Sequence, residues 1–154
     1  MLSSDVRKRR PMKIRTKVII SLINQGQVLL SEGYDRVRDI QFYIPVGGGV
    51  EFGERLEKAA KRELFEELGV KDQELKFANF HESLFEFQGI PEHEIMFHYV
   101  CHIDNSVRAS LPAEGVESNG ECFKIGWFTR EALSAIQKKI VPPSVYNDII
   151  NELC

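Results

Sequence analysis

Between Gly48 and Val70 the chain reads GGVEFGERLEKAAKRELFEELGV, and this segment constrains the fold more than any other stretch. Gly48 is followed at fixed spacing by Glu54, Arg62, Glu63, Leu64, Glu66, Glu67, Gly69 and Val70. Seven fixed identities with two aliphatic positions recur by chance in on the order of one window in a billion. The spacing puts Glu63, Glu66 and Glu67 at i, i+3 and i+4, so a helix gathers them into one anionic patch.

Like charges at this spacing repel by a few tenths of a kcal/mol per pair on an exposed helix, and by more when dehydrated. A divalent cation removes the conflict. The ligands are hard oxygens without His or Cys among them, which suits Mg²⁺ or Mn²⁺ rather than zinc. Gly47, Gly48 and Gly49 supply a loop without side chains just before the helix, where phosphates and a backbone carbonyl can approach a metal. Leu56, Ala60, Leu64 and Leu68 form the apolar stripe of the helix. Glu63 and Glu67 fall beside that stripe, Glu66 further round, and Lys58, Lys61 and Phe65 on the far side. The acids therefore border the core, and Arg62 is placed to pair with Glu66 or Glu54 and hold the cluster.

The segment matches the Nudix box at every defining position, and the chain resembles the Nudix pyrophosphohydrolases. The approach from Ile44 to Glu54 is also similar to the family's, with one departure: Val46 stands between Pro45 and Gly47, where many members carry the proline directly before the glycines. The resemblance implies an α/β (α+β) fold, the Nudix α/β/α sandwich with a mixed β-sheet flanked by helices. It implies metal ligation by Glu63, Glu66, Glu67 and the Gly47 carbonyl, with Arg62 as an orienting residue. Glu63 is a candidate base. Some members use a glutamate from a later loop instead; Glu121 and Glu117 are the candidates, with Glu121 preferred as nearer the Trp127 strand, although either also reads as an ordinary exposed acid.

The implied reaction is attack of water on one phosphorus of a diphosphate, with a carboxylate taking the proton. The substrate would be a nucleoside diphosphate linked to another moiety. Gly48, Gly49 and Glu54 are expected near it, and Arg36, Arg38 and Phe85 are further candidates for phosphate or base contact. Phe80, Phe87, Phe97 and Tyr99 are also available for stacking, though most read as core. The family traits of the ADP-ribose and dinucleoside polyphosphate subfamilies, a Pro or Tyr some way past the box, are replaced here by Phe85 to Gln88, which supports neither label. A catalytically silent Nudix domain that binds a nucleotide is the rival reading. Such domains lose box carboxylates, and all are intact here. An isomerase of the isopentenyl diphosphate type fits less well, because its altered box and acid-and-thiol site are not visible.

With 154 residues and 43% hydrophobic content, the chain suffices for one core, expected over residues 13–154. A net charge of −3 argues against a general nucleic-acid binder. No apolar run approaches a membrane span and the N-terminus lacks a signal-peptide core, so a cytoplasmic protein acting on a small nucleotide-type molecule is expected. The family's habits leave room for a homodimer. Residues 1–12 form a basic arm, with Arg7 to Arg10 extended by Lys13, Arg15 and Lys17, and the plain reading is a wet, partly disordered tail rather than an RNA or phosphate contact. Cys101, Cys122 and Cys154 form no Cys-x-x-Cys pair, and Cys101 and Cys122 read as buried thiols. His93 and His98 are five apart and cannot share a helical face, which argues against zinc.

Local patterns predict a hairpin from Lys13 to Leu30 turning at Asn24 to Gln27, a short strand from Arg38 to Val46, and a helix from Arg55 to Leu68 stopped by Gly69. Two long strands, Leu75 to Phe87 and Glu94 to Ile103, are joined through Gln88 to Glu92. Asp104 to Gly120 reads as a polar loop, long enough to line a site. A strand from Phe123 to Phe128, a helix capped by Thr129 and a last helix after Pro142 and Pro143 complete the chain.

Overall fold

The computed structural model describes residues 12–153; the basic run Arg7 to Arg10 and Cys154 lie outside them. In chain order the elements are β1 (Ile14–Asn24), β2 (Gln27–Asp35), β3 (Ile40–Ile44), β4 (Val46–Gly49), α1 (Leu56–Leu68), β5 (Lys76–Phe87) and β6 (Ile90–His102). They continue as α2 (Asn105–Ser110), β7 (Glu114–Val116), β8 (Cys122–Phe128), α3 (Arg130–Ala135), a 3₁₀ turn (Gln137–Lys139) and α4 (Val145–Glu152).

One mixed sheet runs β5-β6-β1-β2-β8-β7. β1 and β6 are parallel, and the other strand pairs are antiparallel. β1 and β2 pair only beside their turn, at Ile23↔Val28 and Asn24↔Gln27, and then diverge. The next segment fills the gap: β3 pairs with β2 and β4 with β1. Pro45 stands between β3 and β4, where the chain changes partner and a ladder donor is not required. This wedge delivers Gly47 to Gly49 to the sheet surface beside α1.

β1 is central and buried without a break from Val18 to Asn24, as expected of a strand covered on both faces. Val18, Ile20 and Leu22 join Ala59, Ala60, Leu64 and Leu68 of α1 in one core. Ile19 and Ile23 point the other way and join Leu133 of α3 and Val145 and Ile149 of α4 in a second. The result is the expected helix–sheet–helix sandwich.

The segment from Asp104 to Gly120 is not the plain loop its polar composition predicts. The Asp104 side chain accepts from the Val107 N–H at 2.9 Å and starts α2. β7 then pairs with β8 at Glu114↔Lys124 and Val116↔Cys122. The β5–β6 hairpin is tighter than expected, turning on Gln88 and Gly89 alone. Cys101 is buried as expected, and burial pushes its thiol up to about 11. Cys122 is exposed instead, because β8 lies next to the sheet's outermost short strand and Cys122 faces outward there. His93 pairs with Glu82 near the surface, whereas His98 is fully buried, so the two do not act together.

Candidate active site

α1 begins directly after Arg55 and ends on Gly69, whose N–H bonds the Phe65 carbonyl. Its apolar stripe docks on β1 and β4, and this docking sets the depth of the three acids. Glu63 and Glu67 are 9% and 6% exposed, whereas the Glu66 side chain is 46% exposed, the graded burial its position on the helix dictates. The glycines of β4 permit the close approach. A Cβ on Gly47 would lie 2.0 Å from the Val18 carbonyl oxygen, and one on Gly48 would lie 2.5 Å from the Glu63 carboxyl.

Two tethers join loop and helix. The Gly47 N–H donates to Glu67 Oε1 at 3.1 Å. Arg62 donates to Glu54 through Nε and Nη2 at 2.7 and 2.9 Å, to Glu63 and Glu66 through Nη1 at 2.9 and 3.2 Å, and to the Gly49 carbonyl at 2.9 Å. This fork holds the Glu54 carboxyl down at about 2. Arg62 thus pairs with both partners proposed for it.

A third element closes the site. β7 packs near α1, and Glu117 and Ser118, just after it, line the same cavity as Gly47, Gly48, Gly49, Glu63 and Glu67. The cleft measures about 670 Å³. Burial pushes Glu67 up to about 8, and the charges of Glu63 and Glu117 add to the effect. Burial also raises Glu63, against the pull of Arg62. A set of converging carboxylates held together against their own charge, offering oxygen donors alone, fits a hard divalent cation. Glu63 and Glu67, which line the cleft beside Gly47 to Gly49, would hold it, with Glu66, outside the lining and tied to Glu63 through Arg62, as the third expected ligand.

Other expected site residues lie elsewhere. Glu121 is across the β7–β8 turn, accepting the Glu117 N–H on its carbonyl at 2.7 Å, and it is not among the cavity's lining residues. Of the two hairpin acids, Glu117 is the one that lines the cleft with Glu63 and Glu67. Arg36 and Arg38 sit in the β2–β3 turn, where the Arg36 N–H bonds Gln88 and Arg38 pairs with Asp35. Phe85 lies opposite Glu92 in the β5–β6 hairpin. None of the three lines the cleft. Lys13, Arg15 and Lys17 do line it, a placement that neither the basic run they extend nor the hairpin expected from Lys13 specifies. Lys17 also pairs at 2.9 Å with Glu94, a buried acid on β6.

A glycine strand, a carboxylate-bearing helix and an acidic hairpin surround one cleft, and the family that the chain matches makes it the site of a hydrolase of phosphoric anhydrides. A family model described as the NUDIX domain matches residues 13–148, and the chain belongs to the Nudix family. The fold is similar to that of a MutT Nudix hydrolase from Burkholderia pseudomallei, at 18% identity over 92% of this chain and 99% of that one, with a TM-score of 0.59. A Nudix hydrolase from Nitrosomonas europaea (17% identity, 91% and 88% covered, TM-score 0.63) and a MutT protein from Methanosarcina mazei Go1 (18%, 94% and 95%, 0.61) share it as well.

Proposed function

We propose that the protein is a Mg²⁺- or Mn²⁺-dependent pyrophosphohydrolase that cleaves a nucleoside diphosphate linked to another moiety. The observation that carries this reading is the convergence of Glu63, Glu67 and Glu117 on one cleft beside Gly47, Gly48 and Gly49. Lys13, Arg15 and Lys17 also line the cleft, and their charge suits a polyanionic substrate. The bound metal supplies charge neutralisation at the phosphate and a water of lowered pKa. Arg62 keeps Glu63 and Glu66 in register with the loop, and the Gly47 N–H holds the Glu67 carboxylate from behind. Glu117 stands free of the Arg62 network at the cleft wall and is the better placed of the two hairpin acids to take the proton from the attacking water.

The test is product release from a panel of nucleoside diphosphate derivatives, each with Mg²⁺, with Mn²⁺ and with a chelator. Turnover that requires the ion, with a nucleoside monophosphate among the products, supports the proposal. Micromolar binding without turnover on any compound would favour the silent nucleotide-binding domain instead.

A further inference from the structure

On the face of the sheet opposite α1, two histidines far apart in sequence meet one carboxylate. His81 of β5 and His98 of β6 both face α4, and Asp148 of α4 receives both: His81 Nε2 lies 2.6 Å and His98 Nδ1 3.0 Å from Asp148 Oδ2. The outer ring nitrogens are held too, His98 Nε2 by Ser21 Oγ at 2.7 Å and His81 Nδ1 by Ser144 Oγ at 2.7 Å. Asn79 Nδ2 bonds the other Asp148 oxygen at 3.3 Å. The side chains are 4%, 0% and 12% exposed for His81, His98 and Asp148.

We propose that His81 Nε2, His98 Nδ1 and Asp148 Oδ2 form a second metal site, selective for a late first-row divalent ion such as Zn²⁺, that fastens α4 to the sheet. Three features argue for it. The three ligand atoms lie within 4.8 Å of one another, on two buried histidines and a half-buried aspartate. Zinc bonds to imidazole and carboxylate of about 2.0–2.2 Å put tetrahedral ligands about 3.3 Å apart, so from 2.6 and 3.0 Å the His81 nitrogen needs to draw back from the oxygen by about 0.7 Å and the His98 nitrogen by about 0.3 Å. Each ring is also oriented by a hydroxyl on its far nitrogen, the arrangement that fixes metal-bound imidazoles.

The proton inventory closes. A carboxylate can only accept, so each inner nitrogen carries a hydrogen, and with neutral rings each serine hydroxyl donates to the outer nitrogen. Uptake of the ion moves each ring to its other tautomer. The outer N–H then donates to Ser21 Oγ or Ser144 Oγ, and the inner lone pairs face the metal. No proton need leave the site. Two imidazoles and one carboxylate prefer zinc-like ions, whereas the oxygen-only cradle on the other face prefers Mg²⁺ or Mn²⁺, so one chain would sort two kinds of ion.

The test uses the full chain, stripped with chelator and then kept in excess Mg²⁺, titrated with Zn²⁺ by calorimetry and with Co²⁺ by visible absorption. The expected result is one equivalent of Zn²⁺ bound in wild type and equally in Glu67→Gln, with the intense absorption of near-tetrahedral Co²⁺. Binding should weaken at least about 100-fold in His81→Gln and Asp148→Asn, and about 10–100-fold in Ser144→Ala, whose exposed serine can be removed without threatening the fold. Zn²⁺ should raise the melting temperature of wild type and leave Asp148→Asn unmoved. Wild-type protein that takes up no Zn²⁺ at micromolar concentration, or uptake that survives Ser144→Ala and Asp148→Asn unchanged, overturns the site and leaves a purely hydrogen-bonded latch.

Discussion

Arg62 grips Glu54 with two parallel hydrogen bonds of 2.7 and 2.9 Å while its third nitrogen reaches Glu63 and Glu66, so one side chain ties the glycine loop to the acidic face of α1. Only a planar guanidinium can serve both sides at once. Arg62→Lys keeps the charge and loses the fork. It should weaken Mg²⁺ binding about 10–100-fold, by the measure of other residues that hold metal ligands in place, and calorimetric titration with the ion checks this.

Gly47 and Gly48 should fail in different ways when enlarged. A Cβ on Gly47 meets the Val18 backbone at 2.0 Å, which cannot move without parting β4 from β1, so Gly47→Ala should lower the melting temperature sharply. A Cβ on Gly48 meets the flexible end of Glu63 at 2.5 Å. Gly48→Ala should therefore melt close to wild type yet lose metal affinity, because the carboxylate swings out of the cradle. Melting curves recorded beside metal titrations separate the two.

Much of this was legible before any coordinates. The four-residue spacing of Leu56, Ala60, Leu64 and Leu68 located α1 and the depth of each glutamate, because helix periodicity is local. The short helix α2 and strand β7 were not legible, since their stability comes from a side-chain cap on Asp104 and from pairing with β8 rather than from apolar periodicity. Closeness in sequence to Trp127 favours Glu121, whereas Glu117 is the acid that lines the cleft, and the strand that begins near Lys13 does not by itself announce that Lys13, Arg15 and Lys17 line it too. The meeting of His81, His98 and Asp148 joins two strands and a helix across 67 positions or fewer, and no local pattern announces such a contact.

Glu117 and Glu121 should part company in kinetics. Glu117→Gln should lower kcat by about 10²–10⁴-fold, the usual worth of a positioned base, with little change in the metal affinity of Glu63 and Glu67. Glu121→Gln should leave kcat near wild type. Steady-state rates for the pair under saturating metal decide it.

The folded protein holds Glu67 protonated to about pH 8, against an ordinary carboxyl value of 4.5. Between these values the folded chain binds more protons than the unfolded one, so the stability of metal-free protein should fall as pH rises through that window. Glu67→Gln should flatten the slope. Saturating Mg²⁺ should oppose it as well, because the ion takes the place of the proton, and melting temperatures across the window report all three conditions.

Glu67 is the deepest acid of the cradle. The decisive measurement is the turnover of Glu67→Gln beside wild type on the best substrate, with circular dichroism showing both folded. Loss of a ligating carboxylate predicts a fall of at least about 100-fold that added Mg²⁺ does not restore. Wild-type turnover in the folded variant would contradict the metal cradle as the centre of the reaction.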